Sequence, residues 1–231
     1  MKYYLCAKHH FMILASINHK GGTGKTVIAQ NLAVCYATSG AKACIVDADP
    51  SQNSMRWFDA RGDRDPRIPV FSNSNHRTIR RTVEDLYNNE GYDTIIIDSP
   101  PSLEKIAGEI ISLSHIVLIP ISPTGGNDIW STEQIAEEID RISEEKGQRI
   151  PAWFVINRLQ PNLKVHQMFI EALREHSRVY HIGILETMLH LRTAYGLANL
   201  YGQGVYEQDD PKASAEAVNL SNELQQLFEK L

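Results

Sequence analysis

Seven consecutive residues, Lys20-Gly21-Gly22-Thr23-Gly24-Lys25-Thr26, combine three glycines, two lysines and two hydroxyls directly after an apolar run and directly before a helical pattern. Glycines let the backbone curl until successive N–H groups converge on one point, and the helix that follows aims the positive end of its dipole at the same point. An anion fits there, and a phosphate chain fits best. Lys25 brings a mobile positive charge to the outer phosphates, the Thr26 hydroxyl can ligate Mg²⁺, and Val27 completes the binding segment. A glycine-rich turn needs no ligand in general, but its place between strand and helix argues for one here.

Two acidic segments extend the chemistry. Val46-Asp47-Ala48-Asp49-Pro50 and Ile97-Asp98-Ser99-Pro100-Pro101 each end an aliphatic run in carboxylates. Beside a phosphate loop, one carboxylate can hold the shell of a Mg²⁺ ion and another can orient an attacking water. A single strand-end aspartate is commonly only a cap for the next turn. The three segments together, in this order, point to nucleotide hydrolysis.

The elements that must position these groups follow from periodicity. Residues 11–18, 43–47, 94–98, 115–121 and 152–157 are brief aliphatic runs of the kind that form buried strands. Helical patterns occupy about 24–38, 77–89, 131–146, 165–176 and 213–231. Their alternation predicts an α/β fold with a doubly wound, mainly parallel sheet, helices on both faces and ligand sites at the carboxyl ends of the strands. With 231 residues, of which 42% are apolar, residues 12–231 are expected to form a single domain, preceded by an extension over 1–11. Met12 is itself a candidate start.

Composition narrows the function. A net charge of −5 argues against a uniformly basic coat for nucleic acid and leaves room for a local basic face. Cys6, Cys35 and Cys44 lack metal-type spacing, and the nine histidines are scattered, so neither structural zinc nor disulfides are expected. No apolar run approaches the roughly 20 residues of a spanning helix, and the start lacks a signal-peptide pattern, so a cytoplasmic location is expected.

The loop departs from the ordinary phosphate-loop pattern, because His19 stands where a glycine belongs, and Lys20 instead completes the deviant form KGGxGK[ST]. From Met12 onward the three segments resemble those of the ParA and MinD superfamily of deviant P-loop ATPases. The short length, Trp57, the Gly202-Gln203-Gly204-Val205-Tyr206-Glu207 stretch and the lack of an added amino-terminal DNA-binding domain are most similar to small plasmid ParA proteins. The resemblance implies ATP and Mg²⁺ as ligands, Lys20 reaching across a homodimer, Asp49 activating water and Asp98 as the Walker B residue. It places Asn157 and Arg158 near the adenine. It also implies an ATP-bound dimer that binds nonspecific DNA on the nucleoid and a ParB-type, centromere-binding partner that stimulates hydrolysis. Val27 replaces a common second threonine, and Ser51 stands where a glutamine usually follows the proline, which touches the hydrolysis rate rather than the central roles.

For DNA, Arg192 matches an arginine of a late ParA segment, and Arg174 and Arg178 lie near the preceding helix's end. Arg56, Arg61, Arg64, Arg67, Arg77, Arg80 and Arg81 are interleaved with Asp59, Asp63 and Asp65 and read as solvated surface. A MinD-like membrane ATPase would need a basic amphipathic tail, whereas the last helix carries Glu223 and Glu229 beside its apolar residues and is expected to pack on the core. A metabolic ATPase of the dethiobiotin synthetase type would share the loop without needing DNA. A relative of the nitrogenase iron protein would need cluster-ligating cysteines after Asp98, and none of the three cysteines lies there.

Overall fold

Aliphatic runs buried end to end require cover on both faces, and this chain supplies it with a parallel sheet between helical layers. The computed structural model describes residues 11–101, 105–123, 129 and 132–231. Strands β1 (Met12–Ser16), β2 (Ala43–Asp47), β4 (Thr94–Asp98) and β5 (Ile116–Ile121) are buried at every position. With β3 (Val70–Ser72), β6 (Ala152–Ile156) and β7 (Gly183–Ile184), they form a seven-stranded sheet in the order β3-β2-β4-β1-β5-β6-β7. Every described pairing is parallel.

Side chains alternate between the layers with the period of two that a strand imposes. Met12 and Leu14 enter one core with Ile45, Ile96 and helix α1 (Lys25–Thr38), while Ile13 and Ala15 enter another with Cys44, Val46, Ile95 and Ile97. The second core is closed by α3 (Ile79–Asn88) and α4 (Lys105–Leu113) through Val83, Leu86, Ile106 and Ile110. Helix α2 (Asn53–Arg61) follows β2, and α5 (Glu133–Lys146) covers β5 and β6. Helices α6 (Lys164–Tyr180), α7 (Thr193–Leu200) and α8 (Pro211–Phe228) complete the described set. As expected, the last helix packs on the core: Leu220 and Leu224 join the cluster that holds Leu14 and Ile45. No helix of the described residues is long and apolar enough to cross a membrane.

Several elements differ from the expectation. Helices α2, α4 and α7 and strands β3 and β7 were not anticipated, and α6 continues four residues past 176. Helix α2 hides from apolar periodicity because the residues it buries are Ser54, Trp57 and Arg61. Phe11, assigned to the extension, belongs with the fold, stacking on Tyr87 with ring centroids 3.6 Å apart. Residues 1–10, Cys6 among them, and residue 131 of the helix expected over 131–146 lie outside the described residues.

Arg61 also corrects the reading of the arginine cluster as solvated surface. It is only 4% exposed, and all five of its N–H donors are used. Nη1 and Nη2 donate to the two Glu207 carboxylate oxygens at 2.8 and 2.9 Å, Nη1 also to Gly202 O, and Nε and Nη2 to Pro66 O. Trp57 Nε1 donates to Gln203 O at 3.0 Å. Trp57 and the 202–207 stretch are thus two halves of one contact, which fixes α2 against the segment that leads into α8. A bidentate, fully hydrogen-bonded guanidinium is the form in which a buried arginine is tolerated.

Candidate nucleotide-binding site

Register brings the chemistry together. Ser16 at the end of β1 lies level with Asp98 at the end of β4, and Asp98 lies level with Asp47 at the end of β2. The glycine-rich loop leaves β1 at that edge, so Asp98 and, one strand further out, Asp47 lie to one side of it.

Within the loop, Gly22 and Gly24 adopt φ of +77° and +102°, a region costly for any side chain. Gly24 is doubly constrained, since a Cβ there would sit 2.1 Å from Asn157 Nδ2. That amide donates to Thr23 O at 2.7 Å, and its oxygen accepts from Arg158 N at 2.9 Å. Asn157 therefore braces the phosphate loop itself from the end of β6, in addition to bordering the cleft described below. Asn18, which sequence reasoning passed over as the end of a strand, does the same from β1. Its Oδ1 accepts from Lys20 N and its Nδ2 donates to Pro120 O. A buried asparagine next to a glycine-rich loop was the available signal.

Lys25 is buried, and its Nζ donates to Lys20 O at 3.2 Å. Burial holds its pKa below that of an ordinary lysine, while the negative charges of Asp98 and Asp49 oppose the shift. Thr26 Oγ1 donates to Asp98 Oδ1 at 3.2 Å. Ser54 Oγ, from α2, donates to Asp98 Oδ2 at 2.8 Å. Asp98 is fully buried, and its pKa is pushed up to about 7, first by burial and then by Asp47, against the pull of Ser54, Thr26 and Lys25.

The other carboxylates divide the remaining work. Asp47 caps α2: its Oδ2 accepts the N–H groups of Ser54 and Met55 at 3.0 and 3.1 Å, and its Oδ1 accepts that of Asp49 at 3.1 Å. Asp49 is half-buried at the turn between β2 and α2, and its Oδ1 accepts from Ser51 N. Of the acidic pair in that segment, Asp47 is thus committed to backbone and Asp49 faces the loop lysine's field.

Beside the start of α1 opens a cleft of about 230 Å³, lined by Gly24, Val27, Asn157, Arg158, Arg192 and Tyr195 among others. Glu216 of α8 organises its wall. Its carboxylate accepts from His190 N and Nδ1, Arg192 Nε and Nη2, and the Tyr195 hydroxyl, all within 2.7 to 3.1 Å. Arg192 is therefore neutralised and placed in the cleft. Arg174 and Arg178 are exposed in the last turns of α6, which run back toward the opposite edge of the sheet, and Arg178 pairs with Glu175. The structure does not bring the three arginines to one face. A larger cleft of about 710 Å³ between α4 and α5 lies away from the loop.

The CobQ/CobB/MinD/ParA nucleotide binding domain matches residues 14–200. The chain belongs to this family. Within the CobQ/CobB/MinD/ParA family it is a ParA/MinD-type ATPase. It is 28% identical to maintenance of carboxysome distribution protein A of Halothiobacillus neapolitanus, over 87% of this chain and 89% of that one. It is 26% identical to the chromosome-partitioning ATPase Soj of Thermus thermophilus, over 58% of this chain and 62% of Soj. An ATP complex of McdA from Cyanothece shares the fold at a TM-score of 0.75 and 18% identity, covering 94% of this chain and 98% of that one.

The raised Asp98 pKa has a sign that can be measured. Unfolded chains ionise this carboxyl near 3.8, whereas the folded protein keeps the proton to about 7. Its contribution to stability is present below the unfolded value and is lost as pH rises through 7. Asp98→Asn should therefore leave stability at pH 4 nearly unchanged and raise it at pH 8 by a few kcal/mol, on the order of 4 at most. Denaturant unfolding in EDTA without nucleotide checks this; parallel pH profiles for the two proteins would contradict it.

Proposed function

We propose that this chain is an ATP-driven partition ATPase that cycles between a monomer and an ATP-bound homodimer held on nonspecific DNA. The observation that carries the reading is the convergence of Lys25, Thr26 and Asp98 at the start of α1, with Asp49 near enough for its charge to act on Lys25. Backbone N–H groups of the loop and the Lys25 ammonium would hold the phosphates. The cleft at Val27, Asn157 and Arg158 would take the adenine side of the nucleotide.

The donor set also fits Mg²⁺. Asp98 is a buried carboxylate whose charge is costly without a cation, and the Thr26 hydroxyl already lies on one of its oxygens. Bound there, Mg²⁺ would supply charge neutralisation to the phosphate oxygens. Asp49 orients a water for attack on the γ-phosphorus; the bond to the ADP oxygen breaks, and ADP and phosphate leave. Lys25 stabilises the charge that accumulates on the outer phosphates. Lys20, half-buried beside the exposed Gly21 and Gly22, acts on the nucleotide of the opposite subunit, so hydrolysis is coupled to dimerisation.

Arg174 and Arg178 are the better DNA contacts, because phosphates can displace an exposed glutamate from Arg178, whereas Arg192 is held in the cleft wall by Glu216. A ParB-type protein would stimulate hydrolysis, and the protein would be cytoplasmic, on the nucleoid while ATP-bound. A second reading concerns cargo alone. The relative aligned over 87% of this chain is named for carboxysome distribution, which favours a protein body as cargo with the same ATP cycle.

DNA retention decides between these positioning functions and a metabolic ATPase. Duplexes of unrelated sequence should bind with ATP and Mg²⁺ but not with ADP, and affinity should fall steeply with salt, because phosphate contacts carry no base information. Absence of ATP-dependent retention would remove the DNA-based reading.

Subunit mixing tests Lys20. Each of Lys20→Ala and Asp49→Ala should lose most ATPase activity alone. In their heterodimer, the Asp49→Ala subunit donates an intact Lys20 to the site whose Asp49 is intact, so activity should reappear. Verified heterodimers that stay inactive would show that Lys20 serves its own site.

A further inference from the structure

Ser54 is fully buried in the first turn of α2, at a position with no helical i−4 carbonyl to receive its hydroxyl. Two buried serines deeper in helices or at their ends take that local route: Ser114 donates to Ile110 O at 2.7 Å and Ser143 to Ile139 O at 2.6 Å. Ser54 instead reaches 44 positions along the chain to Asp98 Oδ2, at 2.8 Å. Thr26 occupies Oδ1 of the same carboxylate, so each oxygen receives one hydroxyl and the plane of the group is fixed.

The backbone of Ser54 is equally committed. Its N–H donates to Asp47 Oδ2, which also accepts from Met55 N, while Asp47 Oδ1 accepts from Asp49 N. One aspartate thus anchors both the Asp49 segment and the turn that carries Ser54. The far end of α2 is held by the Arg61–Glu207 pair, so the helix has little freedom to swing Ser54 away.

We propose that Ser54 is a positioning residue that sets the Asp98 carboxylate for Mg²⁺ and ties it, through Asp47, to the segment bearing Asp49. The proposal rests on the nucleotide reading above and deepens it, since it assigns a role to a residue outside all three sequence motifs. Groups that hydrogen-bond a ligating carboxylate orient it and tune its affinity, and losing one weakens metal binding by roughly 10- to 100-fold. A serine that only filled space would leave no such trace.

Two variants make the test. Ser54→Ala removes the donor, and Ser54→Cys keeps a side chain of nearly the same size with a much weaker one. Affinity for a fluorescent ATP analogue is measured in Mg²⁺ and in EDTA. In EDTA both variants should bind within about twofold of wild type, because the loop and Lys25 are untouched. The tightening produced by Mg²⁺ should fall by roughly 10- to 100-fold. The cysteine variant carries the test if the alanine variant fails to fold. Wild-type tightening in the variants, or equal losses with and without Mg²⁺, would overturn the proposal while leaving the nucleotide reading intact. No Mg²⁺-dependent tightening in wild type would overturn that reading as well.

Discussion

Keeping negative charge inside a protein is costly, and this fold places two carboxylates, Asp47 and Asp98, side by side at the carboxyl edge of its sheet with no exposure. Much of the site can be understood as the response. Asp47 is satisfied by three backbone N–H groups, which forces α2 to begin where it does. Asp98 is satisfied by the hydroxyls of Thr26 and Ser54, which brings α1 and α2 to the same carboxylate. Lys25 lies within reach of that charge, lowered in basicity by its own burial. Each group is destabilised alone and supported by its neighbours, the arrangement from which a phosphate and cation site gains affinity.

A second set of contacts holds this edge from outside. Asn157 and Asn18 brace the loop from β6 and β1, the Arg61–Glu207 pair locks α2, and Glu216 gathers His190, Arg192 and Tyr195 into the cleft wall. These residues come from widely separated parts of the chain. Geometry within a fraction of an ångström is what phosphoryl transfer requires, and rigid elements linked by hydrogen-bonded side chains provide it.

That division explains what the sequence made legible. Lys20 to Thr26, Asp49 and Asp98 could be read because phosphate chemistry demands those residue types at fixed spacing next to a strand. The long buried strands could be read because their aliphatic runs have no other use. Helix α2 could not, since its inward face is a serine, a tryptophan and an arginine, and its cap comes from a strand. Ser54 and Glu216 act across tens of positions, so no local pattern announces them, and Asn157, named through the family resemblance, braces the loop across more than a hundred. Arg61 looked like surface charge and Arg192 like a DNA contact because their carboxylate partners, Glu207 and Glu216, are remote in sequence. Family membership then connects the site to relatives named for carboxysome distribution and for chromosome partitioning.

The central claim is that this buried electrostatic arrangement is completed by nucleotide and cation, so the folded state should be stabilised by Mg²⁺ and ATP in proportion to occupancy. Denaturant unfolding across a range of ATP concentrations in Mg²⁺ measures that directly. Above the dissociation constant, stability should rise by about 1.4 kcal/mol for each tenfold increase in ATP, with a smaller rise in EDTA. A stability that stays flat with ATP in the presence of Mg²⁺ would contradict the account.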